Sequence, residues 1–242
     1  MLAVAQTSST RGDIEGNVKT HMRFAEAAAR HGARLIVFPE LSFTGYEPDI
    51  AATHSLTPDD PRLTPLRHLV EEHGMTIVAG APYRSSEGLH IAAIVLQPGR
   101  ARVYTKHHLH HGEETYFKPG TTGLQIELEG ERVSFAICAD TTHPSHAEAA
   151  ARAGATVYAA GVFITPTGIE ADSAQLRGYA KDHKLVVLMA NYAAPSGGFQ
   201  TAGKSAIWDE RGETVIQTPG VGEVLLLAHR EGTVMKGELI NP

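Results

Sequence analysis

The chain of 242 residues carries a single cysteine, Cys138, so an internal disulfide is excluded. A chain held together without disulfides fits a reducing compartment. No apolar stretch approaches the ~20 residues that a membrane-spanning helix needs. Met1 leads into Leu-Ala-Val-Ala-Gln, too short an apolar run for a secretory leader and without a basic start. A soluble, cytoplasmic protein with no membrane partner is therefore expected. Positive charge is also scarce: 21 Lys and Arg against 27 Asp and Glu leave a formal net charge of −6. That balance argues against a protein built to grip phosphate backbones, so no nucleic-acid partner is expected. Long single-sign charge runs are missing, as are Gly/Ser-rich or Pro-rich linkers. Disorder and a division of the chain are both disfavoured, and residues 1–242 read as one domain.

What is present is an alternation. Short β-branched and apolar runs read as strands at 2–6, 34–38, 76–81, 91–96, 101–105, 132–137, 155–160, 185–190, 204–208 and 223–228. Between them, helices are expected over 16–31, 62–73, 145–153 and 170–183. In the first, Val18, Met22, Ala25 and Ala29 recur at helical spacing and mark a buried face. Asp13 stands where an N-terminal cap belongs and Gly32 where a C-terminal cap belongs. The alternation predicts an α/β fold. An internal echo goes with it: residues 25–33 read AEAAARHGA and residues 147–155 read AEAAARAGA, each before a strand. Two similar halves, each supplying helix then strand, would produce this, and so would the likeness of any two Ala-rich helices.

Three residues stand directly after strand candidates. Glu40 follows Leu35-Ile36-Val37-Phe38-Pro39, at the rim of a sheet where ligand sites of open α/β folds gather. Desolvation there raises a carboxyl pKa and makes it a base. Taken singly, a solvated loop Glu is the simpler reading. Lys106 closes Val103-Tyr104-Thr105 and can offer positive charge to an oxyanion. Taken singly, a surface lysine explains it as well. Cys138 ends Arg132-Val133-Ser134-Phe135-Ala136-Ile137 and precedes a turn and an Ala-rich helix. Such a turn presents a nucleophile beside free backbone N–H groups. A small buried hydrophobe is the rival reading. The three together carry more weight than any one, because residues at the ends of different strands converge in space.

In these contexts the chain resembles the nitrilase superfamily of carbon–nitrogen hydrolases. Phe38-Pro39-Glu40-Leu41-Ser42-Phe43-Thr44-Gly45-Tyr46 is similar to the motif around its catalytic Glu. Tyr104-Thr105-Lys106-His107-His108-Leu109, running into Gly112-Glu113 and Phe117-Lys118-Pro119-Gly120, resembles the Lys motif with its trailing acid. Ala136-Ile137-Cys138-Ala139-Asp140, with Pro144 beyond, resembles the nucleophile motif. Gly203-Lys204-Ser205 with Asp209 and Gly212, and Gly12-Asp13 with Asn17, are similar to a late and an opening element. The resemblance implies a four-layer α-β-β-α sandwich, assembled as a homodimer or larger homo-oligomer and needing no cofactor. It implies Cys138 as nucleophile, Glu40 as general base, and Lys106 with the Ala139 N–H as oxyanion donors. Glu113 would orient the lysine and substrate, and Asp140 would be architectural.

The chain also departs from the family pattern. Position 139, commonly aromatic in the family, is Ala, and the Trp-Glu usual after the cysteine of true nitrilases is absent. The expected reaction is thus hydrolysis of a small linear amide, with N-carbamoyl compounds and nitriles as alternatives. Tyr179-Ala180-Lys181-Asp182-His183 is a loose version of another family element, and the stretch after the last strand candidate is short. Tyr46, Tyr116 and Phe163 are candidate pocket residues by their nearness to the motifs, each also explicable as core packing. The cluster His107, His108, His110 and His111, with Glu113 and Glu114, has ligand chemistry for zinc. It lacks the helical i, i+4 His pair of zinc hydrolases, so no catalytic metal is expected. A non-catalytic binding protein on the same fold is the alternative of a different class.

Overall fold

The computed structural model describes residues 1–242. Its core follows from the apolar strand runs, which are short enough for strands and buried on both faces. β1 (Leu2–Gln6), β2 (Leu35–Val37) and β3 (Thr76–Arg84) run parallel, joined by α1 (Ile14–Arg30) and α2 (Thr64–His73). β4 (Leu89–Gln97) and β5 (Arg100–Thr105) extend this sheet antiparallel on one side. A second parallel trio repeats the plan: β7 (Glu131–Ile137), β8 (Val157–Gly161) and β9 (Val186–Ala190), joined by α3 (Pro144–Arg152) and α4 (Ile169–His183). β6 (Gln125–Leu128), β10 (Ala206–Trp208) and β11 (Thr214–Gln217) flank that trio. β12 (Val224–Glu231) and β13 (Val234–Ile240) return to the first sheet beside β1.

The result is a seven-stranded sheet ordered β13-β12-β1-β2-β3-β4-β5 and a six-stranded sheet ordered β11-β10-β9-β8-β7-β6. Period-two alternation assigns side chains to layers. In β1, Ala3 and Ala5 join the core under α1 and α2, whereas Val4 joins the core between the sheets. In β8, Val157 and Ala159 face the other sheet, whereas Tyr158 and Ala160 face α3 and α4. Three apolar layers between four structural layers make the expected α-β-β-α sandwich.

The echo at 25–33 and 147–155 ends α1 and α3, each of which leads into the middle strand of its parallel trio. Asp13 caps α1 by accepting from the Gly16 N–H at 3.0 Å. Three strands escaped the sequence reading: β6, β11 and β13. All three are sheet edges, and β11 and β13 have little fully buried surface. An edge strand with a wet face carries a weak apolar alternation, so its pattern resembles that of a loop.

Candidate active site

Glu40 lies beyond β2 in a turn that the sheet holds from both sides. Phe38 N–H donates to Val78 O at 2.8 Å, and Phe43 N–H donates to Gly80 O at 2.9 Å. Leu41 takes φ 51°, which turns the chain back and leaves the Glu40 side chain inside. Two strand glycines make room for this turn. A Cβ on Gly80 would meet Leu41 N at 2.1 Å, and one on Gly161 would meet Phe38 O at 2.6 Å. The buried Tyr192 hydroxyl donates to Glu40 O at 2.8 Å and fixes the turn from the second sheet.

Lys106 follows β5 and is fully buried. Its Nζ donates to Glu40 Oε1 at 2.7 Å and to Glu113 Oε1 and Oε2 at 2.9 and 2.8 Å. Glu113 is held in turn by the Tyr46 hydroxyl at 2.7 Å and the His110 N–H at 2.8 Å. One ammonium between two carboxylates leaves the buried group with an excess negative charge. Burial raises the Glu40 carboxyl to about 7, against the pull of Lys106 and with a push from Glu113. Burial disfavours the Lys106 ammonium, but Glu40, Cys138 and Glu113 outweigh it, and its pKa is raised. Lys106 is a fixed cation at any working pH.

Cys138 directly follows β7 and takes φ 41°, a backbone conformation that non-glycine residues seldom hold. A 3-10 turn, Cys138–Thr142, leads from it into α3. The strained turn is over-determined by Asp140, which is fully buried. One Asp140 oxygen accepts from the Ile137 N–H at 2.9 Å and the Tyr104 hydroxyl at 2.7 Å. The other accepts from the His107 and His108 N–H groups at 3.0 and 2.9 Å. Asp140 thus ties the turn bearing Cys138 to the turn bearing Lys106. The thiol points at Phe163 O, 3.6 Å away, and burial followed by Glu40 pushes its pKa well up. It rests as a thiol. Glu40 Oε2 is buried without a hydrogen-bond partner, a free acceptor beside the Lys106 contact.

Above these groups opens a cavity of about 280 Å³, lined by Tyr46, His110, Glu113, Cys138, Phe163 and Phe199, among others. Tyr46 and Phe163 stack with ring centroids 5.1 Å apart. Burial raises the Tyr46 pKa and keeps it a phenol that donates to Glu113. Of the residues expected at the site, the structure gathers Glu40, Lys106, Glu113, Cys138, Tyr46 and Phe163. Tyr116 is not in the cavity wall: its side of the chain is solvent, 46% exposed, because the next residue, Phe117, takes the core side. The Ala139 methyl is buried and lines no part of the cavity. Its N–H opens a helical turn, where no intrahelical acceptor exists.

The sequence reading missed Pro48, His110, His111, Thr165 and Phe199 as wall residues. Only His110 and His111 had drawn attention, and then as metal ligands. The histidines divide in space: His110 and His111 line the cavity, while His108 stacks on His143 at 3.8 Å behind Asp140. No three His, Cys, Asp or Glu side chains are grouped to hold a metal ion. No helix is long and apolar enough to cross a membrane.

A carboxylate, an ammonium and a thiol thus converge, each from a strand end. The sequence profile described as Carbon-nitrogen hydrolase matches residues 1–234. The chain belongs to the carbon–nitrogen hydrolase family. Among relatives of this hydrolase is a nitrilase of Pyrococcus abyssi, 26% identical over 226 residues, 90% of this chain and 85% of the relative. An N-carbamoylputrescine amidase of Solanum lycopersicum is 27% identical over 221 residues, 84% of this chain and 71% of that one. A glutamine-dependent NAD(+) synthetase of Aquifex aeolicus is 25% identical, but the match spans 41% of its length, against 93% of this chain. Among solved structures, an amidase from Nesterenkonia sp. AN1 superposes with a TM-score of 0.83 at 26% identity, covering 93% of this chain and 90% of the other. That amidase was captured after acrylamide added to its active-site cysteine. The present protein is accordingly an enzyme, a carbon–nitrogen hydrolase of the nitrilase superfamily.

Proposed function

We propose that this enzyme hydrolyses a small linear amide to a carboxylate and ammonia through a thioester on Cys138. The observation that carries the reading is the buried Lys106 ammonium held between Glu40 and Glu113 under the cavity that contains Cys138. Glu40 takes the thiol proton as Cys138 Sγ bonds to the substrate carbonyl carbon. Negative charge develops on the carbonyl oxygen and is met by Lys106 and the Ala139 N–H. The two Lys106 contacts to Glu113 converge on one carboxylate, so one N–H can serve both and another can turn to the oxyanion. The tetrahedral intermediate collapses, the C–N bond breaks, and the proton on Glu40 leaves with ammonia. Water then gives a proton to Glu40 and attacks the thioester carbon. The thiolate is expelled and recovers that proton.

A raised Glu40 pKa suits this double use, because a group near neutrality both accepts and returns a proton. A second reading, hydrolysis of N-carbamoyl compounds or nitriles on the same groups, has support from two relatives, a nitrilase and an N-carbamoylputrescine amidase. Ammonia release across a panel of amides, N-carbamoyl amino acids and nitriles separates the two. Amide turnover in the wild type and its loss in Cys138→Ala are expected. Turnover surviving in Cys138→Ala would sink the mechanism.

A further inference from the structure

The charges around the cavity are one-sided. No Arg or Lys side chain lines it. The one ammonium beneath it, Lys106, is outnumbered by Glu40 and Glu113. Nearby, Arg11 pairs with both Glu47 and Asp49 and is outnumbered as well. Lys204 is neutralised by Glu170 at 2.9 Å. Asp172, in the first turn of α4, lies near His110 and forms no ion pair of its own. The walls themselves suit an apolar chain. Tyr46 and Phe163 form a stacked pair, and Phe199 stands at the cavity with 55% of its surface exposed.

We propose that the cavity selects amides whose acyl part bears no carboxylate, so that short uncharged amides are its substrates and ω-amides of dicarboxylic acids are refused. This rests on the amide-hydrolase reading above. A carboxylate drawn from water into a partly closed site needs a cation or several N–H donors in exchange. The wall of this site holds no Arg or Lys, only the imidazoles of His110 and His111, and the charged groups beneath it leave a negative excess. Two like charges about 8 Å apart, at an effective dielectric of about 20, repel strongly enough for roughly a 30-fold preference. An alkyl end against Tyr46, Phe163 and Phe199 loses no such hydration and gains apolar contact.

Butyramide and succinamate are the decisive pair, since they differ by a methyl against a carboxylate at one end. Ammonia release is measured at one fixed pH, the same for both substrates. The expected ratio of kcat/KM, butyramide over succinamate, is roughly 30 or more. Thr165→Arg places a cation in the wall and is expected to lower that ratio about tenfold, mainly through KM for succinamate. Phe199→Arg, at an exposed position that folding tolerates, repeats the test. The ratio is read, so a general loss of activity does not matter. Succinamate turned over as well as butyramide, and dependent on Cys138, would overturn this selectivity while leaving the amidase reading intact. An unchanged ratio in both Arg variants would also overturn it. No ammonia from any amide in the panel would remove the amidase reading and this one with it.

Discussion

Glu40 shows how much of the chemistry depends on one side chain's surroundings. Its carboxyl is raised to about 7 by burial, with Lys106 pulling down and Glu113 pushing up. As the base it must be ionised, so a group with a raised pKa loses its function as pH falls through that value. The acid limb of kcat/KM is expected near pH 7 rather than near the ordinary Glu range of about 4.3. Glu40→Gln is expected to lower kcat by about 10²–10⁴ and to abolish that limb. A pH–rate profile with its acid limb below pH 5 would contradict the assignment. At this scale the sequence was informative because Glu40, Lys106, Glu113 and Cys138 carry distinctive neighbours. Asp140 was legible only as architecture: its bonds to two separate turns arise from residues 33 and 32 positions apart. Phe199 and Thr165 gave no signal, since a wall residue is defined by what faces it across a cavity, not by its neighbours in the chain.

Elements matter here through their ends. The parallel strands stop at one edge of the sandwich, and the turns that follow β2, β5, β7 and β8 carry Glu40, Lys106, Cys138 and Phe163. The strain in two of those turns, at Leu41 and Cys138, is borne by the strands beside them. Gly80 in β3 is the test of that support. Gly80→Ala sets a methyl 2.1 Å from Leu41 N, so backbone must shift. Overpacking of this kind costs about 1–3 kcal/mol. A shift of about 1 Å at Glu40 lowers kcat by about 10² even where the protein stays folded. Urea denaturation and steady-state kinetics on this variant measure the two effects separately. Wild-type kcat in Gly80→Ala would show that the close approach does not position Glu40. The interior strands were readable because both faces are apolar. β6, β11 and β13 were not, because edges exchange half of that pattern for water.

The whole molecule joins two similar βαβαβ units through one apolar layer. Val4, Val37 and Val78 of the first sheet share that layer with Phe135, Val157 and Leu188 of the second. We propose that residues 1–242 unfold as one unit. Leu188→Ala, in the shared layer, is expected to cost about 2–5 kcal/mol. Trp208, the only tryptophan, lies in β10 of the second sheet and reports on that sheet by fluorescence. Its transition in urea is expected to coincide with loss of far-UV circular dichroism, before and after the substitution. Two separated transitions would show that the sheets melt independently.

The interior strands, the four helices and the family were legible in the sequence alone, because each is written in local spacing and local motif. The α-β-β-α layering followed from the resemblance. Tertiary structure decided the rest: that burial pushes the Cys138 thiol pKa up, that Asp140 joins two turns, that Tyr116 faces water, and that no Arg or Lys lines the cavity. These are properties of neighbours distant in the chain, and burial and field arise only when the two sheets are brought face to face.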